Sequence, residues 1–142
     1  MELVTLSQAN LDEAAVRTAD VLRRGGVIVA PTDTIYGFVA DAENIAAVQK
    51  IFAIKQRPEE KTFPLFVASI EAAGQIAAIA PHAKKILKNF WPGKLTAVLK
   101  AKPEAKEWLA REDGTIAIRV PRHPFLLRLL DQFRRPMTET SV

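Results

Sequence analysis

Between residues 27 and 37 the chain passes from Val27-Ile28-Val29-Ala30, four apolar residues without a break, straight into Pro31-Thr32-Asp33-Thr34-Ile35-Tyr36-Gly37. An uninterrupted apolar run stopped by proline reads as a strand buried on both faces, so the rest of the chain must supply elements that cover it. Those elements are legible as an alternation. Residues 3–6 form a short apolar run consistent with an opening strand. Asn10-Leu11-Asp12-Glu13 carries the cap and the third-position acid of a capping box, after which Leu11, Ala15, Ala19 and Leu22 recur at helical spacing until Gly25-Gly26. A helix is expected over 44–54, with Ile45, Val48, Ile51 and Phe52 on one side, then a strand over 65–68. Ser69 is placed to cap the Ala-rich helix that follows, and Pro81 opens another through Phe90. Strands are expected over 95–99 and 115–120, and Pro124 opens a last helix through Phe133. Strands alternating with helices over 142 residues define one α/β layered domain.

Composition narrows the chemistry. A hydrophobic content of 49% with 25% charged residues is that of a globular chain. No stretch approaches the roughly 18 apolar residues that would span a bilayer, and no basic leader with an apolar core opens the sequence. The expectation is a protein without membrane contact, working in the cytoplasm. Zero cysteines exclude disulfides and thiolate chemistry, and two histidines make a His-rich metal site unexpected, so no metal is assigned to protein side chains. Charge is unevenly spread. Residues 1–49 carry three basic side chains against seven acidic ones, residues 50–142 seventeen against nine. The positive field of the second stretch would gather nucleotides, phosphates, carboxylates or RNA. Lys84, Lys85 and Lys88 are read as the solvated face of a helix.

Four places break the hydrophobic pattern. Residues 31–37 put two hydroxyls, a carboxylate and a phenol directly after a strand, where open α/β sheets bind ligands; a plain turn is the other reading. In Lys55-Gln56-Arg57-Pro58-Glu59-Glu60-Lys61 an extended backbone would point Lys55 and Arg57 the same way, as a cationic clamp for phosphate, unless the segment is a solvated loop. Arg119, inside the apolar run 115–120, is costly to bury unless an anion meets it. The segment 136–141 is a hydroxyl-rich strand or loop end. Other motifs fail: Gly93-Lys94-Leu95-Thr96 lacks the parts of a phosphate-binding P-loop, and no dinucleotide fingerprint occurs. His123 is expected to cap or pack, and Trp91 and Trp108 to sit in the core or at hinges.

Taken in order, Gly25-Gly26, PTDTIYG (31–37), KQRP (55–58), FPLFV (63–67), FWPGKLT (90–96), GTIAIRVPRHP (114–124) and the closing Thr140-Ser141 resemble the YrdC/YciO family, whose characterised members are threonylcarbamoyl-AMP synthases. The resemblance runs from about Leu11 to the end. It implies a twisted mixed β-sheet flanked by helices, the α/β (α+β) YrdC/RibB-type fold, with a concave basic cavity. It implies a single YrdC-like domain over 1–142, with the C-terminal part of the family domain missing, because the family's Ser-x-Asn element stops at Ser141-Val142.

The reaction implied is a nucleotidyl transfer: L-threonine, bicarbonate and ATP, with Mg2+, give L-threonylcarbamoyladenylate and pyrophosphate. The product serves N6-threonylcarbamoylation of tRNA at adenosine 37, through downstream tRNA-modification proteins; tRNA or double-stranded RNA is an expected partner. By motif, Thr32, Tyr36 and Arg119 look like threonine contacts. Lys55, Arg57, Lys61, Thr115, Thr138, Thr140 and Ser141 look like ATP contacts, and Lys55, Arg57 and Arg119 would carry catalysis. The alternative implied is a YciO-like paralogue that binds nucleotide or RNA without synthase activity.

Overall fold

The amphipathic pattern after Asn10 forms α1 (Leu11–Arg23), and the leucine-rich run after Pro124 forms α5 (Pro124–Phe133). Leu11, Ala14, Ala15, Ala19 and Leu22 of α1 pack in one core with Phe125, Leu126, Leu129, Leu130 and Phe133 of α5. Alanines on α1 let the backbones approach closely, and the leucines of α5 fill the groove. This helix pair covers part of one face of a seven-stranded sheet in a computed structural model that describes residues 1–56 and 62–142. The strands are β1 (Ile28–Ala30), β2 (Gly37–Asp41), β3 (Leu65–Phe66), β4 (Ala77–Ala78), β5 (Ala97–Ala101), β6 (Thr115–Arg119) and β7 (Met137–Ser141). Their spatial order is β1-β2-β7-β3-β6-β5-β4, and β3–β6 is parallel while the other pairs are antiparallel. The sheet is mixed and helix-flanked, as the sequence leads one to expect.

The opposite face is covered by α2 (Ile45–Lys55), α3 (Ile70–Ile76) and α4 (Pro81–Phe90). Ala47, Val48, Ile51 and Phe52 of α2 pack with Ala40 and Phe63, whose ring stacks on Phe52 at 4.3 Å between centroids. Ile76 and Leu87 join Leu65, Ile116 and Ile118 further along. Among the described residues no helix is long and apolar enough to cross a membrane.

Strand parity decides which side chains reach which face. Phe66 pairs with both Met137 and Arg119, and Val39 pairs with Glu139, so these residues share the face under α1 and α5. Leu65 pairs with Thr138 and Ile118, and Phe38 with Thr140, so these share the opposite face. On the first face Val98 and Lys100 of β5, paired with Ala117 and Thr115, carry no helix, and Val98 is exposed. That face carries no helix over β5, while Ala117 and Arg119 of β6 are buried on it.

Several local expectations fail for identifiable reasons. Residues 3–6 form no strand; only Leu6 packs on the α1/α5 core, and Leu3 is exposed. Asn10 does not cap α1, because its amide is spent on the preceding turn, accepting from Ser7 N–H at 2.7 Å and donating to Thr5 O at 2.8 Å. The strand of residues 27–30 is not buried on both faces: β1 is a sheet edge, and Val29 is 54% exposed. Two strands were not read at all, β2 and the two-residue β4 that ends the Ala-rich helix. Asn44 and Ser69 do cap their helices, accepting from Ala47 N–H and Ala72 N–H.

β7 lies mid-sheet although three of its five residues bear hydroxyls. Thr138 is 1% exposed, and its Oγ1 has no hydrogen-bond partner among the described residues. A buried orphan hydroxyl costs roughly 1–3 kcal/mol. Thr138→Val, which keeps the shape, is therefore expected to raise unfolding stability by about 1 kcal/mol in urea titration. A loss of stability would show that the hydroxyl has a partner.

Candidate functional site

Pro31 ends β1, and Thr32 folds the chain behind it. The Thr32 hydroxyl accepts from the N–H groups of Thr34 (3.0 Å) and Ile35 (3.1 Å), donates to Ile35 O (2.6 Å) and lies 2.9 Å from Thr34 Oγ1. This capped turn presents Asp33 to the sheet and leaves Ile35 and Tyr36 exposed at the rim. Asp33 reaches Arg119 at the end of β6, with Oδ1 2.5 Å from Nη1, and both side chains are almost fully buried, at 8% and 7% exposure. The same Nη1 donates to Gly93 O at 3.0 Å, and the guanidinium lies over the Phe66 ring, 4.8 Å from its centre. Gly93 is required there, because a Cβ would collide with Phe90 O. Among the described residues no hydrogen bond uses Arg119 Nε or Nη2, so one edge of the guanidinium is uncommitted.

The other Asp33 oxygen accepts from Arg122 N–H at 3.0 Å, tying the turn to the entrance of α5. Burial pushes the Asp33 carboxyl up, but the hydrogen bonds from Arg119 and Arg122 outweigh it and hold it below the usual carboxylate value. His123 caps α5, its Nδ1 accepting from Phe125 N–H at 3.2 Å; burial lowers its pKa while Asp33 pulls the other way. A ring spent on a helix cap is not a general base, in line with the expectation for His123.

Lys55 arrives from the other side. It is the last residue of α2, and its Nζ donates to Ser141 O at 2.7 Å, joining the helix end to the end of β7. The ammonium keeps two further N–H groups. The N–H of Val142 donates to Tyr36 O at 3.1 Å, which closes β7 against the Thr32 turn. Between these points lies Glu139, half-buried on the face shared with Arg119, its Oε1 so close over Gly37 that any Cβ there would strike it. Burial raises the Glu139 carboxyl; Arg119 and Lys55 pull it down and Asp33 pushes it up, with burial prevailing.

The structure thus brings Asp33, Arg119, Glu139, Lys55 and Ser141 to one place, with Tyr36 at its edge. Three expectations change. Thr32 cannot offer its hydroxyl to threonine, because the turn uses all of it. Thr138 and Thr140 do not line this site: strand alternation turns them to the opposite face, where they are buried. Lys55 is helical rather than extended, so the parallel clamp with Arg57 does not follow from its backbone. Arg57 and Lys61 lie outside the described residues. Thr115 is on the site's face but four residues, about 13 Å, along β6, with its hydroxyl donated to Asp113 at 2.6 Å. Reading from sequence missed Gly93 O, the Phe66 ring and Glu139; the signal available for Glu139 was its two-residue spacing from Ser141.

Two hollows bordered by described residues lie beside this place rather than on it. One of about 240 Å3 runs between Val48, Phe52 and Trp108; the other, open and about 470 Å3, lies between His123, Leu127 and Arg128. Neither has Lys55 or Arg119 in its wall. The described residues hold no cluster of three or more His, Asp or Glu side chains placed for a metal ion.

These features define an α/β domain with a buried, aspartate-held arginine and a lysine-tethered central strand on one face of a mixed sheet. The Sua5/YciO/YrdC family model, described as telomere recombination, matches residues 20–142, and the chain belongs to that family. It is 36% identical over 140 residues to a threonylcarbamoyl-AMP synthase of Bacillus subtilis, covering 97% of this chain but 40% of that protein. A synthase of the same name from Klebsiella pneumoniae is 31% identical over 132 residues, 91% of this chain and 70% of that one. Among solved structures, Sua5 of Pyrococcus abyssi complexed with L-threonine superposes with a TM-score of 0.85 at 32% identity, over 92% of this chain and 38% of that one. YciO of Escherichia coli gives 0.84 at 31% identity, over 92% and 64%.

Removing the Asp33 charge tests the centre of this arrangement. Asp33→Asn leaves a buried guanidinium unpaired and is expected to cost about 3 kcal/mol of stability at neutral pH. The folded state holds this carboxyl below its ordinary value of 3.8, so its contribution is present above that pH and is lost as pH falls through the folded value. Urea titrations of wild type and variant should therefore converge in acid. A gap independent of pH would contradict the assignment.

Proposed function

We propose that this chain is the catalytic domain of an L-threonylcarbamoyladenylate synthase, a nucleotidyltransferase acting on L-threonine, bicarbonate and ATP. The observation that carries the reading is Arg119: buried in a strand, held by Asp33 and Gly93 O, with Nε and Nη2 left without a hydrogen bond among the described residues. The names of the relatives and the threonine held by the Pyrococcus Sua5 support it.

In this reading Arg119 receives the threonine carboxylate through its free edge, a planar match that a lysine would not give. The threonine amine takes up bicarbonate as a carbamate. A carbamate oxygen then attacks the α-phosphorus of ATP, and pyrophosphate leaves. No enzyme nucleophile is needed. The protein aligns the two substrates and places fixed positive charge where negative charge builds. Lys55, anchored by Ser141 O, directs its remaining N–H groups to phosphate. Arg57 and Lys61 belong to the phosphate set by resemblance alone, as does the basic cavity that would enclose it. Thr115 marks the far end of the face that holds Arg119, toward the nucleotide. Magnesium would enter on the phosphate oxygens, which needs few protein ligands and fits the sparse carboxylates present. We further propose that the reaction runs in the cytoplasm and that the product passes to adenosine 37 of tRNA through downstream modification proteins.

The likeness to the Escherichia coli YciO favours a second reading, a nucleotide- or RNA-binding protein without synthase turnover. Incubation with ATP, Mg2+, labelled bicarbonate and threonine separates the two. The synthase releases pyrophosphate only when threonine is present. Nucleotide binding without turnover, together with RNA binding that weakens steeply with salt, would favour the second. Within the synthase reading, Arg119→Lys, which keeps a charge for Asp33 but loses the fork, is expected to raise the threonine KM at least tenfold more than the ATP KM, and Lys55→Ala to do the reverse. Equal effects on both substrates would contradict the division of roles.

A further inference from the structure

Among the described residues gathered around Arg119, the charged groups Asp33, Arg119 and Lys55 each have a partner and Glu139 does not. Arg119 is held by Asp33, and Asp33 also takes the Arg122 N–H. Lys55 is held by the Ser141 carbonyl. The Glu139 carboxylate makes no hydrogen bond and no ion pair among the described residues, although it is half-buried and lies within the fields of Arg119, Asp33 and Lys55. Half-burying a carboxylate without a donor is unfavourable unless something arrives to meet it.

Its position says what kind of group that would be. β7 and β6 are separated by one strand, so Glu139 and Arg119 rise on the same face from strands roughly 10 Å apart, Glu139 level with Pro64 and Arg119 two residues further along, level with Phe66. One offers a free guanidinium edge, the other a free carboxylate. A zwitterion fits between two such groups in one orientation only, carboxylate to Arg119 and ammonium to Glu139. Gly37 supports this from beneath: the carboxylate lies over it, in space a side chain would take. Asp33, the other carboxylate here, is already committed on both oxygens.

We propose that Glu139 binds the α-ammonium of the amino-acid substrate and accepts its proton before the carbamate forms. The inference rests on the synthase reading and deepens it. The balance is as follows. The ammonium N–H bond breaks and its proton passes to a Glu139 oxygen, leaving a neutral amine. The amine lone pair forms the N–C bond to bicarbonate. The C–OH bond breaks, and hydroxide leaves with a second amine proton as water. The carbamate then carries the negative charge toward the α-phosphorus. Burial, which raises the Glu139 carboxyl, makes it a better proton acceptor than an exposed glutamate.

Glu139→Gln keeps the size of the side chain and removes the charge. Since that charge is disfavoured by burial, the variant is expected to melt no lower than wild type. Two ligands are compared by calorimetry in the presence of a non-hydrolysable ATP analogue: threonine, and 2,3-dihydroxybutanoate, which has a hydroxyl where threonine has its amine. Wild type is expected to prefer threonine, and Glu139→Gln to lose about ten- to hundredfold of threonine affinity with none for the hydroxy acid. ATP-analogue affinity should stay within twofold. A merely structural role would weaken both acids alike. If wild type binds threonine and turns over while Glu139→Gln keeps the full preference, the inference is overturned and the synthase reading stands. If the variant changes the Mg2+ requirement and leaves threonine binding alone, Glu139 is a metal contact and the inference again fails. If wild type binds no threonine, both fall.

Discussion

An arginine buried in the middle of a sheet is an expensive object, and the arrangement around Arg119 follows from how that cost is met. Asp33 supplies the opposite charge, Gly93 a carbonyl and Phe66 a ring face. These come from three separate parts of the chain, so the pair cannot form until the sheet and the segment before β5 are in place. Asp33 in turn fixes the Thr32 turn and, through Arg122 N–H, the entrance of α5. Removing either partner would leave a buried charge unpaired, a larger penalty than the loss of one surface contact. The ion pair thus links the packing of the sheet with the shape of the place where ligand would sit.

Alternation along β7 separates structure from chemistry within five residues. Met137 enters the α1/α5 core, Thr138 and Thr140 face α2, and Glu139 and Ser141 remain on the side of Arg119. A strand in the centre of a sheet is the most rigid support available for a binding group, and Lys55 adds a tie from the end of α2. This part of the sheet therefore presents charges of both signs on fixed backbone, the preorganisation that the proposed reaction needs.

Much of this was visible in the residues themselves. Arg119 stood out because its neighbours are apolar, and the need for an anion beside it was correct; that the anion is Asp33, 86 positions away, depends on tertiary structure that periodicity does not encode. The helices with a strong apolar stripe or a proline at their start were read nearly to the residue, because local pattern determines them. β2 and β4 were not, since one follows a polar turn and the other is two alanines inside a helix-forming run. The resemblance makes ATP contacts of Thr138, Thr140 and Ser141 together, yet alternation along β7 turns Thr138 and Thr140 to the face opposite Arg119. A shift of one residue in a strand's phase reverses every side chain. Thr32 illustrates the converse case: its hydroxyl was read as a ligand contact, but a threonine after proline is equally suited to holding its own turn, and here the turn takes it all.

Backbone amide NMR shifts on adding L-threonine with a non-hydrolysable ATP analogue test the account most directly. Perturbations are expected at Asp33 to Gly37, at Arg119 and at Glu139 to Ser141, around the shared face. Perturbations centred instead on Val48, Phe52 and Trp108, which border the hollow behind the sheet, with Arg119 and Glu139 unchanged, would contradict it.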